Sequence, residues 1–588
     1  MTDPEPRTRI ERLLGATAGQ EVDLAVDLIV TDDWTTPALC PVLGALGTTR
    51  SAAPLILVRD HTGPADTYSG ADRDRVLELR RVEDEFVERF GAERLVGQGI
   101  QHHALPASGR LRPGMLVLGN DSHAPTLGAY GVVAFAAQPT TLAAAIHTGR
   151  FVLRVPETLR VEVVGALAPG VTARDAALTL LGLLRDGGPT PRLATGKALE
   201  FGGAGLAGLT PSERAVLANV VPEAVALTVT FPAGAVDAAP PPATPTLTLD
   251  LGRVRPTAAR SGNPADAVPL EHLGATRVDR VIVGTCSGGT FEEIAAFAAE
   301  LDGRVAVPTV VAPASAGVLA RLGEAGIVSR MEAAGVTLLV PGCGPCFGFG
   351  MTRLESDEVA VFTGNRNTLG RLGSPRAHII LVGGRAAGTA ARTGRLNADG
   401  DAPTTDRPGH AAPTVTWPTT GNVVRLRGLI STDDLTPSSV PGVGTSSDPD
   451  PRVARRLLLH HLDPSAAERP LNGTVFVGDE NFGVGSNRAS SVRALLTAGV
   501  RAVIAPSIAP LYRLGARDEG LIAITLADEA FYEALTPETV LDLDLAAGTV
   551  LLIDGPGSAP RPFRFAPVTP YEAMLREAGG VVAHLRAG

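Results

Sequence analysis

The chain has 588 residues, of which 44% are hydrophobic, and this is enough apolar material for three or four domains with separate cores. A formal net charge of −10 at pH 7 argues against a broad basic surface for nucleic acid and favours small-molecule chemistry. No run approaches about 18 uninterrupted apolar residues, the N-terminal residues lack the apolar core of a signal peptide, and only four cysteines are present, so we expect a cytoplasmic protein without a membrane partner.

Two strand-like runs in the first part of the chain lead into polar turns. Residues 22–30 alternate between apolar and polar side chains and predict one strand, which is followed by a polar turn at residues 31–37. Residues 54–58 predict another strand, which is followed by Asp60 and His61. Open α/β sheets form their sites at the carboxyl ends of strands, so this Asp-His pair is a candidate site, although such a pair is more often an ordinary polar contact of a loop.

A second polar cluster follows further along the chain. Residues 114–119 predict a strand, and Asp121, Ser122 and His123 come directly after it. His102 precedes this strand in a short polar segment. A capped turn explains Asp-Ser-His without any function, and the local sequence alone favours that explanation.

Residues 151–250 are mostly apolar core sequence, with one segment that stands out. It spans residues 213–223 and contains Asn219 and Glu223. Pro222 also lies in it and is unusual for a helix interior, because proline lacks the backbone N–H that a helix needs.

Three of the four cysteines lie in two glycine-rich turns. Cys286 follows the β-branched run at residues 278–283, and Cys343 and Cys346 follow a similar run at residues 335–340. We therefore expect all three thiols at the carboxyl ends of strands.

The residues after Cys286 predict a helix. Thr290 and Glu293 form a capping-box pattern, and apolar residues recur at helical spacing from residue 291 to residue 301. Cys286 should then lie just before a helix N-terminus, where the thiolate form of cysteine is favoured.

Three cysteines on glycine-rich loops admit several interpretations. A redox pair at Cys343 and Cys346 needs a helix continuing from the second cysteine, and Gly348 and Gly350 each disfavour that helix by roughly 1 kcal/mol. A structural zinc site commonly uses two short-spaced pairs of ligands, and one such pair is present. Buried unreactive cysteines poorly explain the surrounding glycines and prolines. An iron–sulfur cluster fits better, because glycine lets the backbone approach the inorganic core, and three thiolates on a four-iron cube would leave one iron open.

The remaining candidate residues lie after the cysteine turns. Residues 362–371 predict a loop with several glycines that contains Asn365, Arg366 and Arg371. The two arginines either face solvent or converge to bind a carboxylate through their guanidinium groups. Residues 396–420 carry many breakers and predict a linker. Beyond it, a strand and a glycine-rich loop precede a helix that should start near Ser486, a position typical of a helix N-cap.

Taken together, Gly-Thr-Cys286-Ser-Gly-Gly and Pro-Gly-Cys343-Gly-Pro-Cys346 resemble the cluster-binding pattern of the aconitase and 3-isopropylmalate dehydratase family. The resemblance continues through Asp60-His61, the Asp-Ser-His turn and Asn365-Arg366-Asn, and so covers most of the chain. It implies an α/β multidomain fold with three α/β/α subdomains around a cluster in residues 1–395, a linker at residues 396–420 and a swivel domain in residues 421–588.

The resemblance also implies roles for individual residues. Ligands to one 4Fe-4S cluster with an open iron would be Cys286, Cys343 and Cys346, with Asn219 and Asn365 beside it. Catalytic residues would be Asp60, His61, His102, Asp121, His123, Glu223 and Ser486. Substrate-binding residues would be Ser122, Arg366, Arg371, Asp433 and Arg488. We add Arg513 as a substrate-binding candidate, because its charge could reach a further carboxylate of the substrate.

Several residues depart from the family pattern. Gly288 and Thr290 stand where many members have Asn and Arg, and Asn487, Ala489 and Ser490 replace Ser, Glu and His near the swivel-domain serine. These departures leave the choice of substrate open.

The implied reaction is dehydration and rehydration of a 2-hydroxy dicarboxylate or tricarboxylate, with citrate, 3-isopropylmalate and a specialised 2-substituted malate as candidates. Residues 437–447 correspond to the loop that covers the variable group of the substrate, and they carry no Arg or Lys to pair with a third carboxylate. This favours a malate whose extra group is not a simple carboxylate. The alternatives are an RNA-binding aconitase relative without catalysis and a thiol-disulfide oxidoreductase at Cys343 and Cys346. The sequence leaves the oligomeric state open.

Overall fold

The computed structural model groups the chain into two compact units. The described residues are 7–188, 191–232, 240–396, 413–437, 439–440, 443–446, 448, 450–486, 489–555 and 557–587. The first unit comprises Met1–Thr36, Thr49–Ala136 and Thr148–His410, and the second comprises Pro37–Thr48, Ala137–His147 and Ala411–Gly588. Two short segments of the N-terminal half therefore belong to the second unit, which the sequence did not predict. The domain boundaries at residues 395 and 421 stay a prediction.

The first sheet of the first unit carries two of the four acidic candidate residues, Asp60 and Asp121, at the ends of its strands. Its five strands are all parallel, and their spatial order is Glu93–Val96, Leu55–Arg59, Leu28–Asp32, Leu116–Gly119 and Val133–Ala136. The single strand predicted at residues 22–30 is in fact two. Glu21–Ala25 pairs with Arg150–Arg154 in a separate antiparallel ribbon, and the chain enters the first sheet only at Leu28.

Two further sheets complete the first unit. A four-stranded parallel sheet has the order Thr228–Thr230, Ala198–Gly202, Thr158–Val164 and Thr246–Asp250. A seven-stranded sheet has the order Ala267–Pro269, Thr257–Ala259, His378–Val382, Val359–Phe362, Arg280–Gly284, Thr309–Ala312 and Thr337–Leu338. Its first two strands are antiparallel to their neighbours and the other five are parallel. A short pair, Thr276–Arg277 with Arg395–Leu396, lies outside these sheets.

Both faces of the seven-stranded sheet are buried, and this explains its nearly continuous β-branched strands. Val281 and Val283 pack in one core with Phe297 and other residues of the helices, whereas Ile282 packs in a second core. This second core also contains Phe201 of the four-stranded sheet and the three buried cysteines. The cysteine turns are therefore anchored in an apolar core that two sheets of the first unit share.

The helices of the first unit connect successive strands. The α-helices are Arg9–Leu14, Gly70–Phe90, Gln101–Ala107, Ala173–Leu183, Pro211–Ala218, Thr285–Gly288, Phe291–Ala299, Ala316–Glu324, Ile327–Ala333 and Gly384–Thr393. Short 3-10 turns occur at Ala65–Thr67, Ala124–Tyr130, Ala204–Gly208, Leu251–Arg253, Leu270–Leu273, Gly344–Phe347 and Gly350–Thr352. Among the described residues of the whole chain, no helix is both long enough and apolar enough to cross a membrane.

The second unit has a mixed five-stranded sheet in the order Thr414–Thr416, Val423–Arg427, Val475–Val477, Ala502–Ala505 and Ile522–Thr525. The first of these strands is antiparallel and lies inside the predicted linker; residues 397–412 of that linker lie outside the described residues. Smaller sheets pair Ser439–Val440 with Gly444–Thr445, and join Thr539–Asp544, Thr549–Asp554 and Arg561–Arg564. Helices are Thr36–Ala45, Pro139–Thr148, Thr432–Leu435, Pro451–Leu457, Ala489–Thr497, Pro510–Glu519, Glu529–Glu533, Pro570–Ala578 and Val581–Ala587, with a 3-10 turn at Pro464–Glu468.

The helix Pro139–Thr148 is held inside the second unit by polar and apolar contacts. The hydroxyl groups of Thr140 and Thr141, in its first turn, donate to the carboxylates of Glu519 and Asp518. Two carboxylates at a helix N-terminus also complement the helix dipole. Ala144, near the other end of the helix, packs in an apolar cluster of this unit.

Parallel sheets with connecting helices confirm the predicted α/β class. Four predicted strands shift or shorten by one or a few residues. The strands predicted to begin at residues 54, 114 and 278 begin at Leu55, Leu116 and Arg280, and the strand predicted at residues 335–340 is only Thr337–Leu338. The helix of segment 213–223 ends at Ala218, so Pro222 lies beyond the helix and needs no special explanation.

Candidate active site

The three cysteines lie at the carboxyl ends of two strands of the seven-stranded sheet, as predicted. Cys286 follows Arg280–Gly284, and Cys343 and Cys346 follow Thr337–Leu338. Their exposed fractions are 2%, 8% and 2%, and none forms a disulfide. Cys40 belongs to the second unit and is half-buried.

Glycines bring the cysteine pair against the loop of the Asp-His pair. The amide of Cys343 donates to the carbonyl oxygen of Asp60 at 2.6 Å. A Cβ atom at Gly342 would lie 2.7 Å from that oxygen, and one at Gly344 would lie 2.9 Å from the carbonyl oxygen of His61. Both positions therefore require glycine, and this close approach joins the first sheet to the cysteine site.

The turn of Cys286 is strained and tightly packed. Thr285 has φ of +64°, which is rare for a β-branched residue and costs on the order of 1–3 kcal/mol. A Cβ atom at Gly288 would lie 1.8 Å from Thr363 Oγ1, so no asparagine fits there. Thr290 caps the helix Phe291–Ala299 by accepting from the amide of Glu293. Local packing thus accounts for both departures from the family pattern in this turn.

Two side chains donate hydrogen bonds to cysteine sulfurs. Asn365 Nδ2 lies 3.4 Å from Cys286 Sγ. Arg371 donates to the carbonyl oxygen of Cys346 at 2.7 Å and lies 3.4 Å from its sulfur. Together with the thiol of Cys343, this guanidinium lowers the pKa of Cys346 well below its ordinary value. Hydrogen bonds and positive charge of this kind stabilise sulfur ligands of a metal.

The expectation that a helix N-terminus favours the thiolate of Cys286 is wrong. Burial, and then the charge of Cys346, raise the pKa of Cys286 well above its ordinary value. Cys286 lies inside the four-residue helix Thr285–Gly288, whereas the longer helix begins only at Phe291. Three buried thiols this close cannot all ionise without a compensating positive charge, and an iron–sulfur cluster would supply one. The residues present therefore fit a cluster.

The redox interpretation of Cys343 and Cys346 finds no support in the fold. The short 3-10 turn Gly344–Phe347 ends at Gly348, whose φ is +71°. A thioredoxin-type pair would need an α-helix continuing from its second cysteine, and here the chain leaves the helical region at once.

His61 is surrounded by carboxylates. Its Nδ1 atom lies 2.7 Å from Asp60 Oδ1, 3.8 Å from Asp32 Oδ1 and 3.9 Å from Asp33 Oδ1. The other oxygen of Asp60 accepts from the amide of Gln101 at 2.9 Å, which fixes the carboxylate. Burial alone would lower the pKa of His61, but Asp32, Asp60 and Asp33 raise it well above its ordinary value. The surrounding carboxylates thus favour the protonated form of His61, and burial also raises the pKa of its partner Asp60, to about 7.

Asp33 shapes this loop and was missed by the sequence analysis. Its two oxygens accept the backbone amides of Asp60, His61 and Thr62 at 2.9–3.2 Å, and Arg80 Nη1 lies 3.4 Å away. Such a nest of amides orders the loop that presents His61. The signal for this role in the sequence is the acidic pair at residues 32–33, which follows a predicted strand within the polar turn at residues 31–37.

The Asp-Ser-His turn meets the glutamate of segment 213–223. His123 Nε2 lies 3.3 Å from Glu223 Oε2, and its backbone amide donates to Asp121 Oδ1 at 2.6 Å. Arg366 Nε lies 2.9 Å from Glu223 Oε1, and Arg366 Nη2 donates to Ser122 Oγ at 2.9 Å. All five residues are buried, and the free-energy cost of burying their charges is offset because opposite charges are paired.

This turn also borders the cysteine site. Ligand atoms of His61, Asp121 and Cys343 all lie within 4.8 Å of one another. His102 is 1% exposed, its ring lies 6.3 Å from that of His123, and neither ring nitrogen has a hydrogen-bond partner among the described residues. Burial lowers the pKa of His102 well below its ordinary value, which favours the neutral imidazole.

Asn365 connects several candidate residues. Besides Cys286 Sγ, its Nδ2 donates to Asn219 Oδ1, and Asn219 in turn donates to Thr126 at 2.9 Å. Two further residues of this network were missed: His103 lies 2.7 Å from the carbonyl oxygen of Cys286, and Arg174 donates to Asn365 Oδ1 at 3.0 Å. Nothing in the local sequence distinguished Arg174 from the other arginines.

The candidates of the C-terminal part lie in the second unit. Ser486 is half-buried, and its carbonyl oxygen accepts from Thr432 Oγ1 at 3.2 Å. Asp433 is 2% exposed in the short helix Thr432–Leu435. Arg513 is 46% exposed and its guanidinium lies 3.6 Å from the carboxylate of Glu572. Arg488 lies outside the described residues, as does Asn487.

The chain is similar to proteins of known families along most of its length. Residues 18–238 and 257–394 match the model of the aconitase family (aconitate hydratase), and residues 468–529 match that of the aconitase C-terminal domain. The chain is 34% identical over 392 residues to the 3-isopropylmalate dehydratase large subunit 2 of Pyrococcus furiosus, covering 66% of this chain and 98% of that one. It is also 34% identical to the homoaconitase large subunit of Thermus thermophilus, covering 64% and 92%. Aconitase X of Thermococcus kodakaraensis is similar with a TM-score of 0.38 and 12% identity, covering 59% and 84%.

The amide nest of Asp33 predicts the effect of changing that residue. Asp33→Asn replaces one accepting oxygen by an NH2 group that faces a backbone amide, so the apoprotein should lose about 1–3 kcal/mol of unfolding free energy. The amides of residues 60–62 should exchange with solvent faster in a hydrogen-exchange measurement by mass spectrometry.

A matched control is Asp27→Asn, because Asp27 Oδ2 accepts one backbone amide, that of Leu116, at 2.8 Å. This variant should accelerate exchange near Leu116 and leave residues 60–62 unchanged. Equal exchange at residues 60–62 in wild type and Asp33→Asn would show that the carboxylate does not hold the loop.

Proposed function

The chain belongs to the aconitase family of hydro-lyases, and from this membership we propose that it is an iron–sulfur enzyme that dehydrates and rehydrates a 2-hydroxy dicarboxylate or tricarboxylate. The observation that carries the proposal is the joining of three buried cysteines to the Asp60–His61 pair through the Cys343 amide. A cytoplasmic location and the absence of a nucleic-acid partner remain predictions.

Cys286, Cys343 and Cys346 would hold one 4Fe-4S cluster. Their burial and the N–H donors from Asn365 and Arg371 support this ligand set. When bound, the cluster would supply Lewis acidity through an iron without a cysteine ligand. Asn219 would act indirectly, by holding the amide of Asn365.

We assign to His61 the donation of a proton to the hydroxide that leaves the substrate. A departing hydroxide needs a proton, and an imidazolium beside three carboxylates holds one at neutral pH. Asp60 orients the ring through Nδ1, which leaves Nε2 for the substrate. Other polar groups near the substrate hydroxyl would be His102, whose ring has no described hydrogen-bond partner, and the paired side chains of His123 and Glu223.

Carboxylate binding is assigned to the arginines. Arg366 is already positioned by Glu223 and by Ser122, so little conformational entropy is lost when it binds a carboxylate. Arg371 contacts Cys346 and would add positive charge near the cluster. Such charge stabilises the negative charge that accumulates when a proton is removed next to a carboxylate.

Removal of the carbon-bound proton is assigned to Ser486, which ends a glycine-rich loop of the second unit. Thr432 fixes the backbone of this serine by donating to its carbonyl oxygen, and Asp433 lies beside that threonine. Arg488, two residues further on in the sequence, is a further proposed substrate ligand. The departing hydroxide takes the proton of His61 and leaves as water, whereas the proton lost from carbon stays on Ser486, whose side chain acts in the deprotonated, alkoxide form.

For the substrate we propose a 2-substituted malate whose extra group is uncharged. The loop at residues 437–447 has no cation. Two arginines elsewhere in the second unit already have partners. Arg425 donates to the carbonyl oxygen of Val477 and pairs with Asp479, and Arg513 faces Glu572. A third carboxylate would therefore find little compensating charge.

The cluster assignment predicts the effect of single substitutions. Changing Cys286, Cys343 or Cys346 to Ser should abolish stable four-iron binding, because each thiolate supplies one bond to the cluster. Iron and sulfide content and the visible absorption spectrum after anaerobic purification measure this.

Cys40→Ser is the matched control and should keep the cluster. Full iron and sulfide occupancy in any of the three site variants would contradict the ligand set.

The assignment of Ser486 predicts a purely chemical defect. Ser486→Ala should retain the cluster spectrum and the thermal unfolding temperature, yet lose turnover by roughly 10²-fold or more, since it removes a proton acceptor. Ser490→Ala, in the following helix, is a control that should stay close to wild type. Wild-type turnover in Ser486→Ala would reduce this serine to a structural residue.

The substrate assignment predicts a ranking within a panel of acids. Reconstituted enzyme should form the unsaturated intermediate, followed by its ultraviolet absorbance, faster from 2-alkyl-substituted malates than from citrate. A strong preference for citrate that is lost in Arg513→Ala, but kept when residues 438–446 are changed, would contradict this reading of the loop.

A further inference from the structure

Arg174 is an arginine that the proposed mechanism does not use. Its side chain is 0% exposed, more completely buried than any other arginine in the described part of the chain. Burying a guanidinium costs several kcal/mol unless its charge and its N–H groups are satisfied. A residue kept in this position must therefore make contacts that offset that cost.

Helix formation does not explain this arginine. Arg174 is the second residue of the helix Ala173–Leu183, which Thr172 and Asp175 close with a capping box. The N-terminus of a helix carries partial positive charge, so a cation is disfavoured there. The reason for an arginine must lie in what its side chain contacts.

Those contacts lead to the loop that follows strand Val359–Phe362. Arg174 Nη1 donates to Asn365 Oδ1 at 3.0 Å, and Nη2 donates to the carbonyl oxygen of Gly364. Its backbone amide donates to Glu293 Oε1 at 3.0 Å, which fixes the start of the helix. One guanidinium thus holds both the backbone at Gly364 and the side chain of Asn365, which contacts Cys286.

Donor chemistry then decides how the amide of Asn365 is turned. A guanidinium has only donors, so the atom of Asn365 that faces Arg174 must be the oxygen. The hydroxyl of Ser287 donates to this same oxygen. The nitrogen is therefore forced to the opposite side, where it lies 3.4 Å from Cys286 Sγ.

We propose that Arg174 is a positioning residue for the cysteine site, whose guanidinium fixes the Asn365 amide so that its N–H group is directed at the sulfur of Cys286. The inference rests on the proposed function, because that sulfur is a proposed cluster ligand. Arg174 touches neither sulfur nor substrate. Its effect is transmitted through one amide: without Arg174, the Asn365 oxygen loses one of its two donors, and the N–H group is directed less firmly at the sulfur.

The test compares Arg174→Met, which fills a similar volume without donors, with Arg174→Lys, which keeps the charge but cannot donate to two acceptors in a fixed fork. Arg9→Met is the matched control. Arg9 is also buried, and it donates to the carbonyl oxygens of Phe201 and Thr230 at 3.0 and 3.1 Å, so its loss has a similar structural cost away from the cysteine turns.

Three measurements are made on each variant: thermal unfolding of the apoprotein, iron–sulfur stretching frequencies by resonance Raman spectroscopy in H2O and D2O, and the rate of iron loss to a chelator. We expect Arg174→Met to lose iron roughly ten-fold faster than wild type and to show an altered deuterium shift. The iron-loss rate of Arg174→Lys should lie between those of wild type and Arg174→Met. Arg9→Met should unfold at a lower temperature with the spectrum and iron-loss rate of wild type.

Iron loss and spectra like those of wild type in Arg174→Met, with only a lower unfolding temperature, would overturn the proposal and leave Arg174 a structural residue. If the wild-type protein takes up no cluster, the proposed function fails, and crystal structures of the apoproteins decide the inference separately. Arg174→Met should then show Asn365 Nδ2 beyond hydrogen-bond distance of Cys286 Sγ, whereas an unchanged amide would refute it.

Discussion

The hydrogen bond from the amide of Cys343 to the carbonyl oxygen of Asp60 is the contact on which the site depends. It joins a turn after one sheet to a turn after another, and it is possible only because Gly342 and Gly344 leave room for the Asp60 and His61 carbonyls. A backbone bond of this kind does not depend on side-chain rotamers. The imidazole of His61 and the sulfur of Cys343 are therefore held close to each other by the backbone.

Several charged side chains are buried around this contact. Asp33 and Asp60 are ordered by backbone amides and lie against a histidine, whereas Glu223 is paired with a histidine and an arginine. The low dielectric strengthens each pairing and penalises each unpaired group. The matched pairs therefore hold one another in place, whereas the buried ring of His102 has no hydrogen-bond partner among the described residues.

The sequence predicted the features that depend on local pattern. Alternation and β-branched runs located the strands, and the glycine-rich turns placed Cys286 and Cys343 at strand ends, as observed. What it could not supply depends on partners distant in the chain. Asp33 and Arg174 look like ordinary surface charges in sequence, and only the fold buries them against residues 60–62 and 365. The raised pKa of Cys286 has the same origin, because burial outweighs any effect of a nearby helix.

The helix Pro139–Thr148 has a consequence for the order in which the protein folds during synthesis. Its Thr141 bonds to Asp518, a partner 377 residues further along the chain. The apolar face around Ala144 thus leaves the ribosome long before Leu575 and Val581, which cover it in the finished unit. Until then that face is an exposed hydrophobic surface and a target for chaperones, so completion of the second unit must wait for the last residues to be translated.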